Sequence, residues 1–348
     1  MNAAPRCADA LLRAATGTRF TAAVLRVERA GRAVFERAYG TLDDAPDARA
    51  TEVTTRFDLA SLTKLFVATA VLAAVADGAA ALDEPLPAFF PEWRGSARET
   101  VTLRRLLAHT AGFQSGADYR QLLTENVERF ALLSEPAAAP GERVIYSDLG
   151  FITLGAWLAR ASGRSLLAVI DGLTARLGCE GTRFRPRNDD PETIPATECD
   201  AWRGRVRGAV HDEKAYLMNG VAGHAGLFGT ARDVALLAEL YLAAACGRAP
   251  VAALLPVASA RDAIVEQAFD PVLRRGLGWA LKTTDENSCG SLMDRASFGH
   301  TGFTGTVVWA DPTRDLSVVL LANAVYFGRG DLRDLRAAVC DACVREFG

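Results

Sequence analysis

The stretch 57-FDLASLTKLFVATAVLAAVADG-78 decides how the rest of the chain is understood. Its apolar residues continue at helical spacing from Leu62 to Val75 and stop at Gly78, a residue suited to closing a helix. The spacing predicts a buried helix. At its start stands Ser61-Leu62-Thr63-Lys64. Residues three apart on a helix share a face, so the Lys64 amine can reach the Ser61 hydroxyl. Helix N–H groups and the positive end of the helix dipole point toward the same hydroxyl. A serine hydroxyl is a poor nucleophile without an adjacent base. A lysine can serve if burial depresses its pKa, which is the Ser-Lys route to acyl transfer. With 12 serines and three lysines in 348 residues, about 0.1 chance matches to S-x-x-K are expected. Taken alone the motif fits catalysis and a solvated Ser and Lys equally.

The composition is that of a soluble globular protein: 50% hydrophobic, 23% charged, 30 Gly and 14 Pro. The chain is long enough for one large domain or two lobes around a single cleft. A net charge of −3 and a pI near 5.9 argue against a nucleic-acid partner, because such binding draws on an excess of Lys and Arg. Of the 39 basic residues only Lys64, Lys214 and Lys282 are lysines. Codon bias in a GC-rich genome accounts for such a swap, and it leaves each surviving lysine as a question. The seven cysteines are odd in number and scattered, unlike a secreted disulfide framework. Cys340 and Cys343 form a C-x-x-C pair with no second pair, and they are expected to be buried helix positions. Met1 to Gly17 has no apolar core of a secretion signal, and no run approaches the length of a membrane span. The expected location is the cytoplasm, with no membrane partner.

Outward from the central helix, a short helix is expected around Cys7 to Ala15. Phe20 to Tyr39 alternates as two strands around Ala30-Gly31-Arg32. VTLRRLLAHT, GFITLGAWLARASG, SLLAVIDGLTARLG and ARDVALLAELYLAAA carry a 3.6-residue period, the last opening on a capping-box arrangement of Thr230 and Asp233. Strand character returns at Gly276 to Leu281, Gly305 to Trp309 and Leu316 to Leu321, and Leu332 to Phe347 closes as a helix. Strands near both ends with helices between them predict an α+β fold: an antiparallel sheet flanked by helices and built from both termini, with an inserted mostly helical lobe. Residues 1–78 and 255–348 are assigned to the sheet lobe and 79–254 to the helical lobe, with an active-site cleft between them.

Two further segments bear on the chemistry. Tyr146-Ser147-Asp148 lies just before a helix, where a phenol can shuttle a proton if a cation favours its anionic form. The plainer alternative is a packed Tyr with Asp148 as helix N-cap. His300-Thr301-Gly302 precedes a strand, and a Gly-rich strand edge lets backbone N–H groups approach a substrate as an oxyanion hole requires. His109-Thr110-Ala111-Gly112, a similar run, is expected only to close a helix. The order S-x-x-K, Tyr-x-Asp, His-Thr-Gly, with FDLASLTK, VTLRRLLAHTAGF, VIYSDLGFITLG, GVAGHAGLFGTARDVA and GHTGFTG around it, resembles the serine β-lactamase and penicillin-binding-protein superfamily. The resemblance is closest to its class C β-lactamase-like branch, which includes family VIII esterases, DD-peptidases and acyltransferases, and it covers nearly the full length.

That resemblance implies Ser61 as the acylated nucleophile, Lys64 as its activator, and Tyr146 as the general base that also protonates the leaving group. It implies an oxyanion hole from the backbone N–H groups of Ser61 and Phe303, and substrate contacts from Asp148, His300, Thr301 and Gly302. Position 148 departs from the family's usual Asn. An acid there would pair with Lys64, raise its pKa and alter substrate contacts, which weakens the case for β-lactam hydrolysis in favour of ester, amide or peptide substrates. His224, in Gly223-His224-Ala225-Gly226, is expected as a loop residue, or else at the mouth of the cleft. His211-Asp212-Glu213 lacks the H-E-x-x-H spacing of a zinc site. No metal or cofactor is expected, and no G-x-S-x-G elbow is present. The functional expectation is a serine acyl hydrolase with a small-molecule acyl substrate. A biosynthetic acyltransferase and a non-catalytic acyl-binding module remain as alternatives.

Overall fold

The computed structural model describes residues 7–186, 191–249 and 252–348. Helix α1 (Cys7–Ala15) leads into the hairpin β1 (Ala22–Arg29) and β2 (Arg32–Gly40), followed by the short β3 (Phe57–Asp58) and helix α2 (Thr63–Ala76). Then come α3 (Leu103–Leu107), α4 (Val127–Leu133), α5 (Asp148–Ser162), α6 (Leu166–Leu177), β4 (Arg183–Phe184), β5 (Cys199–Asp200), β6 (Gly204–Arg205), α7 (Glu213–Leu217), β7 (Leu227–Gly229), α8 (Ala231–Cys246) and α9 (Val257–Ala263). The chain ends with β8 (Arg274–Arg275), β9 (Ala280–Leu281), β10 (Phe298–Thr301), β11 (Val307–Asp311), β12 (Leu316–Ala322) and α10 (Arg333–Phe347).

Seven strands form one antiparallel sheet in the order β2-β1-β12-β11-β10-β9-β8, so the N-terminal hairpin pairs directly with the last strand, Leu25 opposite Leu320. The expected α+β sheet built from both termini is what forms. The period-2 pattern of β12 divides its side chains between two cores. Leu316, Val318, Leu320 and Ala322 face α1 and α10, with Leu12, Val339 and Cys343. Val319 and Leu321 face the opposite layer, with Leu237 of α8 and Phe66 of α2. Cys340 and Cys343 are buried, and all seven cysteines carry free thiols. Helix α2 is buried on all sides from Thr63 to Ala73, as its unbroken apolar composition requires.

Several details differ from expectation. The boundary set at 254 placed α8 with the inserted helices, but α8 packs on β1, β11 and β12, while α2 packs on α5 and α6. A single apolar cluster therefore runs through both walls of the cleft. Gly276 to Leu281 does not run as one strand. Gly276 N donates to Trp279 O at 2.8 Å and Gly278 sits at φ +81°, so the run turns tightly between β8 and β9. The capping box at α8 is half made: Thr230 accepts from Asp233 N, but the Asp233 carboxylate reaches across to Gly181 N and Thr182 Oγ1.

Candidate active site

Ser61 lies in a single 3₁₀ turn, Ala60–Leu62, that runs into α2. The residue before it, Ala60, holds the left-handed φ of +46°, which costs an L-residue on the order of 1–2 kcal/mol. The surroundings impose it. Ala60 N donates to Asp58 Oδ1 at 2.8 Å, and the other Asp58 oxygen accepts His211 N at 2.6 Å. Thr304 Oγ1 donates to Asp58 O and Thr306 Oγ1 to Leu59 O, while Leu59 N donates to Leu227 O in β7. The Ser61 turn is thus clamped between β7 and the segment after β10. Burial of Asp58 raises its pKa despite these hydrogen bonds.

Lys64 is fully buried. Its Nζ donates to Ser61 Oγ at 3.0 Å and to His224 O at 3.1 Å, and lies 2.9 Å from Asp148 Oδ1. Burial pulls its pKa down, but the Asp148 carboxylate and the Tyr146 phenol outweigh burial and hold it above the ordinary lysine value. Lys64 is therefore a cation at neutral pH, not the neutral amine that burial alone would give. Asp148 moves the opposite way: burial raises it, while Lys64, then His224 and Lys214, bring it below the ordinary carboxylate value.

Tyr146 ends the loop before α5. Ser147, not Asp148, is the N-cap, accepting from Gly150 N at 3.0 Å, which leaves the Asp148 carboxylate free to face the lysines. Lys64 Nζ stands 5.0 Å from the centre of the Tyr146 ring and the Arg275 guanidinium 5.2 Å from it. Arg275 is buried, and Asp270 is the one carboxylate among the described residues that acts on it electrostatically. His109 does more than close α3. Its φ is +59°, its Nδ1 accepts Ser147 N at 3.0 Å, and its ring packs 4.6 Å from that of Tyr146. Burial, then Arg275 and Lys64, push its pKa well below the usual histidine value.

The third motif supplies the facing wall. His300 Nδ1 lies 2.8 Å from Thr301 O. A carbonyl only accepts, so Nδ1 carries the proton and Nε2 presents its lone pair. Burial, Lys64 and Arg275 push this imidazole down to about 3, so it is neutral. Gly302 admits no side chain: a Cβ there would stand 2.0 Å from Thr306 Oγ1 and 2.7 Å from Leu59 O. The Gly302 carbonyl accepts Arg336 Nη2 at 2.7 Å. In a planar trans peptide this turns the Phe303 N–H to the opposite side. The Phe303 ring is exposed and stacks 5.7 Å from His211. Ser61, Tyr146, Arg275, His300, Thr301, Gly302, Phe303 and Arg336 line one cleft of about 720 Å³. Lys64 and Asp148 lie beneath its floor.

Charged groups that the sequence did not connect complete this floor. Lys214 Nζ lies 3.3 Å from Asp148 Oδ2 and 3.3 Å from Asp212 Oδ2, and Asp212 Oδ1 lies 2.8 Å from His224 Nε2. His224 is buried beside Lys64 and not at the cleft mouth. His211, Asp212 and Glu213 diverge: His211 pairs with Glu198, Glu213 with Arg329, and Asp212 caps α7. Ligand atoms of Asp148, Asp212 and His224 come within 4.8 Å of one another, but the ammonium of Lys214 already bonds both carboxylates. No sequence spacing signals this cluster, because its members are brought together only by α5, α7 and the loop before β7.

The family model described as Beta-lactamase matches residues 8–341. Esterase EstB of Burkholderia gladioli is 32% identical over an alignment covering 89% of this chain and 88% of that protein. An N-acetylmuramyl-L-alanine amidase of Bacillus subtilis (strain 168) is 28% identical, covering 87% and 77%. Among solved structures, EstCE1, a hydrolase with promiscuous acyltransferase activity, superposes with a TM-score of 0.77 at 21% identity, covering 97% of each chain. With the three motifs on one cleft and a family match over almost its whole length, the chain belongs to the Beta-lactamase family of serine acyl hydrolases.

Proposed function

We propose that the protein hydrolyses an ester, amide or peptide through a covalent acyl-Ser61 intermediate. The observation that carries this reading is the Lys64 Nζ–Ser61 Oγ contact of 3.0 Å at the floor of a cleft that Tyr146 and His300 also line. Ser61 Oγ attacks the substrate carbonyl carbon, and its proton passes to the Tyr146 oxygen in its anionic form. Lys64, already protonated, keeps Ser61 in place and balances the charge on Tyr146. The backbone N–H groups of Ser61 and Phe303 receive the oxyanion, the second held in orientation by Arg336 through the Gly302 carbonyl. Tyr146 returns the proton to the leaving group as the carbonyl–heteroatom bond breaks. Water then attacks the acyl carbon and gives one proton to Tyr146, which passes it to Ser61 Oγ as the acyl–oxygen bond breaks, releasing the acid and free Ser61.

Asp148 bears on substrate choice. Both its oxygens are engaged by ammonium groups, and it has no amide N–H to offer a substrate, which favours simple esters and peptides over β-lactams. The test is labelling with a fluorophosphonate and mass spectrometry of the Ser61 peptide. It is paired with a panel of p-nitrophenyl esters, a chromogenic cephalosporin and D-alanyl dipeptides, and Ser61→Ala serves as blank. An adduct on Ser61 and ester or peptide turnover absent from Ser61→Ala are expected. No adduct, or equal turnover by Ser61→Ala, overturns the reading. Alcohol and amine acceptors added during turnover separate transfer from hydrolysis.

A further inference from the structure

Lys214 is one of three lysines in the chain, and the acyl-transfer chemistry proposed above gives it no role. Lys282 is accounted for structurally: its Nζ donates to Ser291 O and Met293 O and pairs with Asp285. Lys214 is different, because it closes a ring of contacts beneath the nucleophile. Lys64 bonds Asp148 Oδ1 at 2.9 Å, Lys214 bonds Asp148 Oδ2 at 3.3 Å and Asp212 Oδ2 at 3.3 Å, Asp212 bonds His224 at 2.8 Å, and the His224 carbonyl accepts Lys64 at 3.1 Å. We propose that Lys214 is a positioning residue for acylation: it shares the Asp148 carboxylate with Lys64, one oxygen to each ammonium, and so keeps Lys64 Nζ directed at Ser61.

This role builds on the acyl-Ser61 reading. A carboxylate facing one ammonium attracts it with both oxygens. With Lys214 in place Asp148 is split, and Lys64 keeps a donor for Ser61 Oγ. Without Lys214 the ring loses a positive charge, Asp148 turns wholly to Lys64, and Asp212 is left with His224 and its cap bond from Ala215 N. The groups facing Lys64 from each packed element are Tyr146 and Asp148 at the start of α5, His224 before β7, His300 on β10 and His109 after α3, with Arg275 of β8 behind Tyr146. His109 and His300 are neutral. The charges nearest Ser61 are then those of Lys64, Asp148 and Lys214, and taking one positive charge from this coupled unit makes it hold its proton to higher pH.

Lys214 also lines a second, open cavity of about 710 Å³ with Tyr119, Trp202 and Glu213, and truncating its side chain is expected to let a small amine enter from that side. This allows a test that a purely structural role would not pass. The rate of Ser61 labelling by a fluorophosphonate is measured against pH for the wild type and Lys214→Met, with Lys214→Gln, which keeps a donor without the charge, used if the Met variant does not fold. The rising limb is expected about one unit higher, a loss of roughly tenfold at fixed pH below it. Lys214→Ala should regain labelling when ethylammonium is added and not when sodium chloride is added at equal ionic strength. An unmoved limb, or equal rescue by the two salts, overturns the proposal. With only three lysines, ¹⁵N labelling of their Nζ atoms gives three signals. If the wild type shows no Ser61 adduct at any pH, the acyl-enzyme reading fails, and the Lys64 signal still decides the coupling: a shift in Lys214→Met supports it, and an identical signal refutes it.

Discussion

Replacing Asp148 by Asn removes one formal charge while nearly keeping shape. The carboxylate stands 2.9 Å from Lys64 Nζ, and at an effective dielectric of 20 the attraction is about 6 kcal/mol. Solvation of the partly exposed carboxylate offsets much of this, and an opposite charge at such range typically shifts a pKa by about 1–3 units. Asp148 is the leading cause that holds Lys64 up against burial. In Asp148→Asn the coupled unit therefore releases its proton more readily, and the rising limb of the pH–rate profile should move down by about 1–3 units, opposite in sign to the Lys214→Met shift. Fold stability should fall by about 3–5 kcal/mol near neutrality, because a buried ammonium loses its counter-ion. The loss shrinks at high pH as Lys64 deprotonates. The acid side gives a second sign. Asp148 has a depressed folded pKa, so in the wild type its stabilisation is present above the ordinary carboxylate value and lost as pH falls through the folded one. The variant should lack that part of the acid dependence. Ester hydrolysis and thermal unfolding from pH 3 to 11 measure both effects. A limb that stays in place or moves to higher pH refutes the reasoning.

Gly302→Ala should abolish ester turnover and destabilise the fold by about 1–3 kcal/mol, because its Cβ meets Thr306 Oγ1 and Leu59 O; turnover above a tenth of wild type contradicts this. His109→Ala leaves Ser147 N–H without its acceptor and removes the ring beneath Tyr146. Thermal unfolding should show a loss of about 1–3 kcal/mol, with a fall in kcat and a profile above pH 6 of unchanged shape, since His109 is neutral throughout. Ala60→Gly relieves the left-handed strain at φ +46° and should change stability by less than about 1 kcal/mol, whereas Ala60→Val should lower Tm sharply and cut Ser61 labelling; equal Tm values for the two variants would show that the turn is not strained.

Much of the fold was legible in local pattern. The hairpin, α5, α6, α8, β12 and α10 each carry a period that survives packing, because their buried faces repeat at 2 or 3.6 residues, while α2 was legible from its unbroken apolar run. Gly276 to Leu281 misled because an apolar run without charges looks the same whether it extends or turns. The decision there came from Gly278 and from backbone contacts with Leu107 and Ala263. Ser61, Lys64, Tyr146 and His300 were readable since each sits in a short motif of fixed spacing. His109, Arg275 and Arg336 were not, because each reaches the site through long-range contacts that no spacing records.

The sequence by itself determined the α+β class, the sheet made from the two termini, and the serine and lysine one helical turn apart, all of which follow from periodicity and local stereochemistry. The pairing of Asp148 with Lys64 was an expectation of the family resemblance, and only the tertiary structure supplied the burial and the distance that set the charge of Lys64. Burial alone makes a neutral amine, and the outcome is reversed by Asp148, a carboxylate 84 positions away along the chain brought to 2.9 Å. Coulomb energy depends on distance in space and on the dielectric around it, and a sequence holds neither. The same is true of Lys214, an unexplained lysine among arginines until α7 sets it against Asp148 and Asp212.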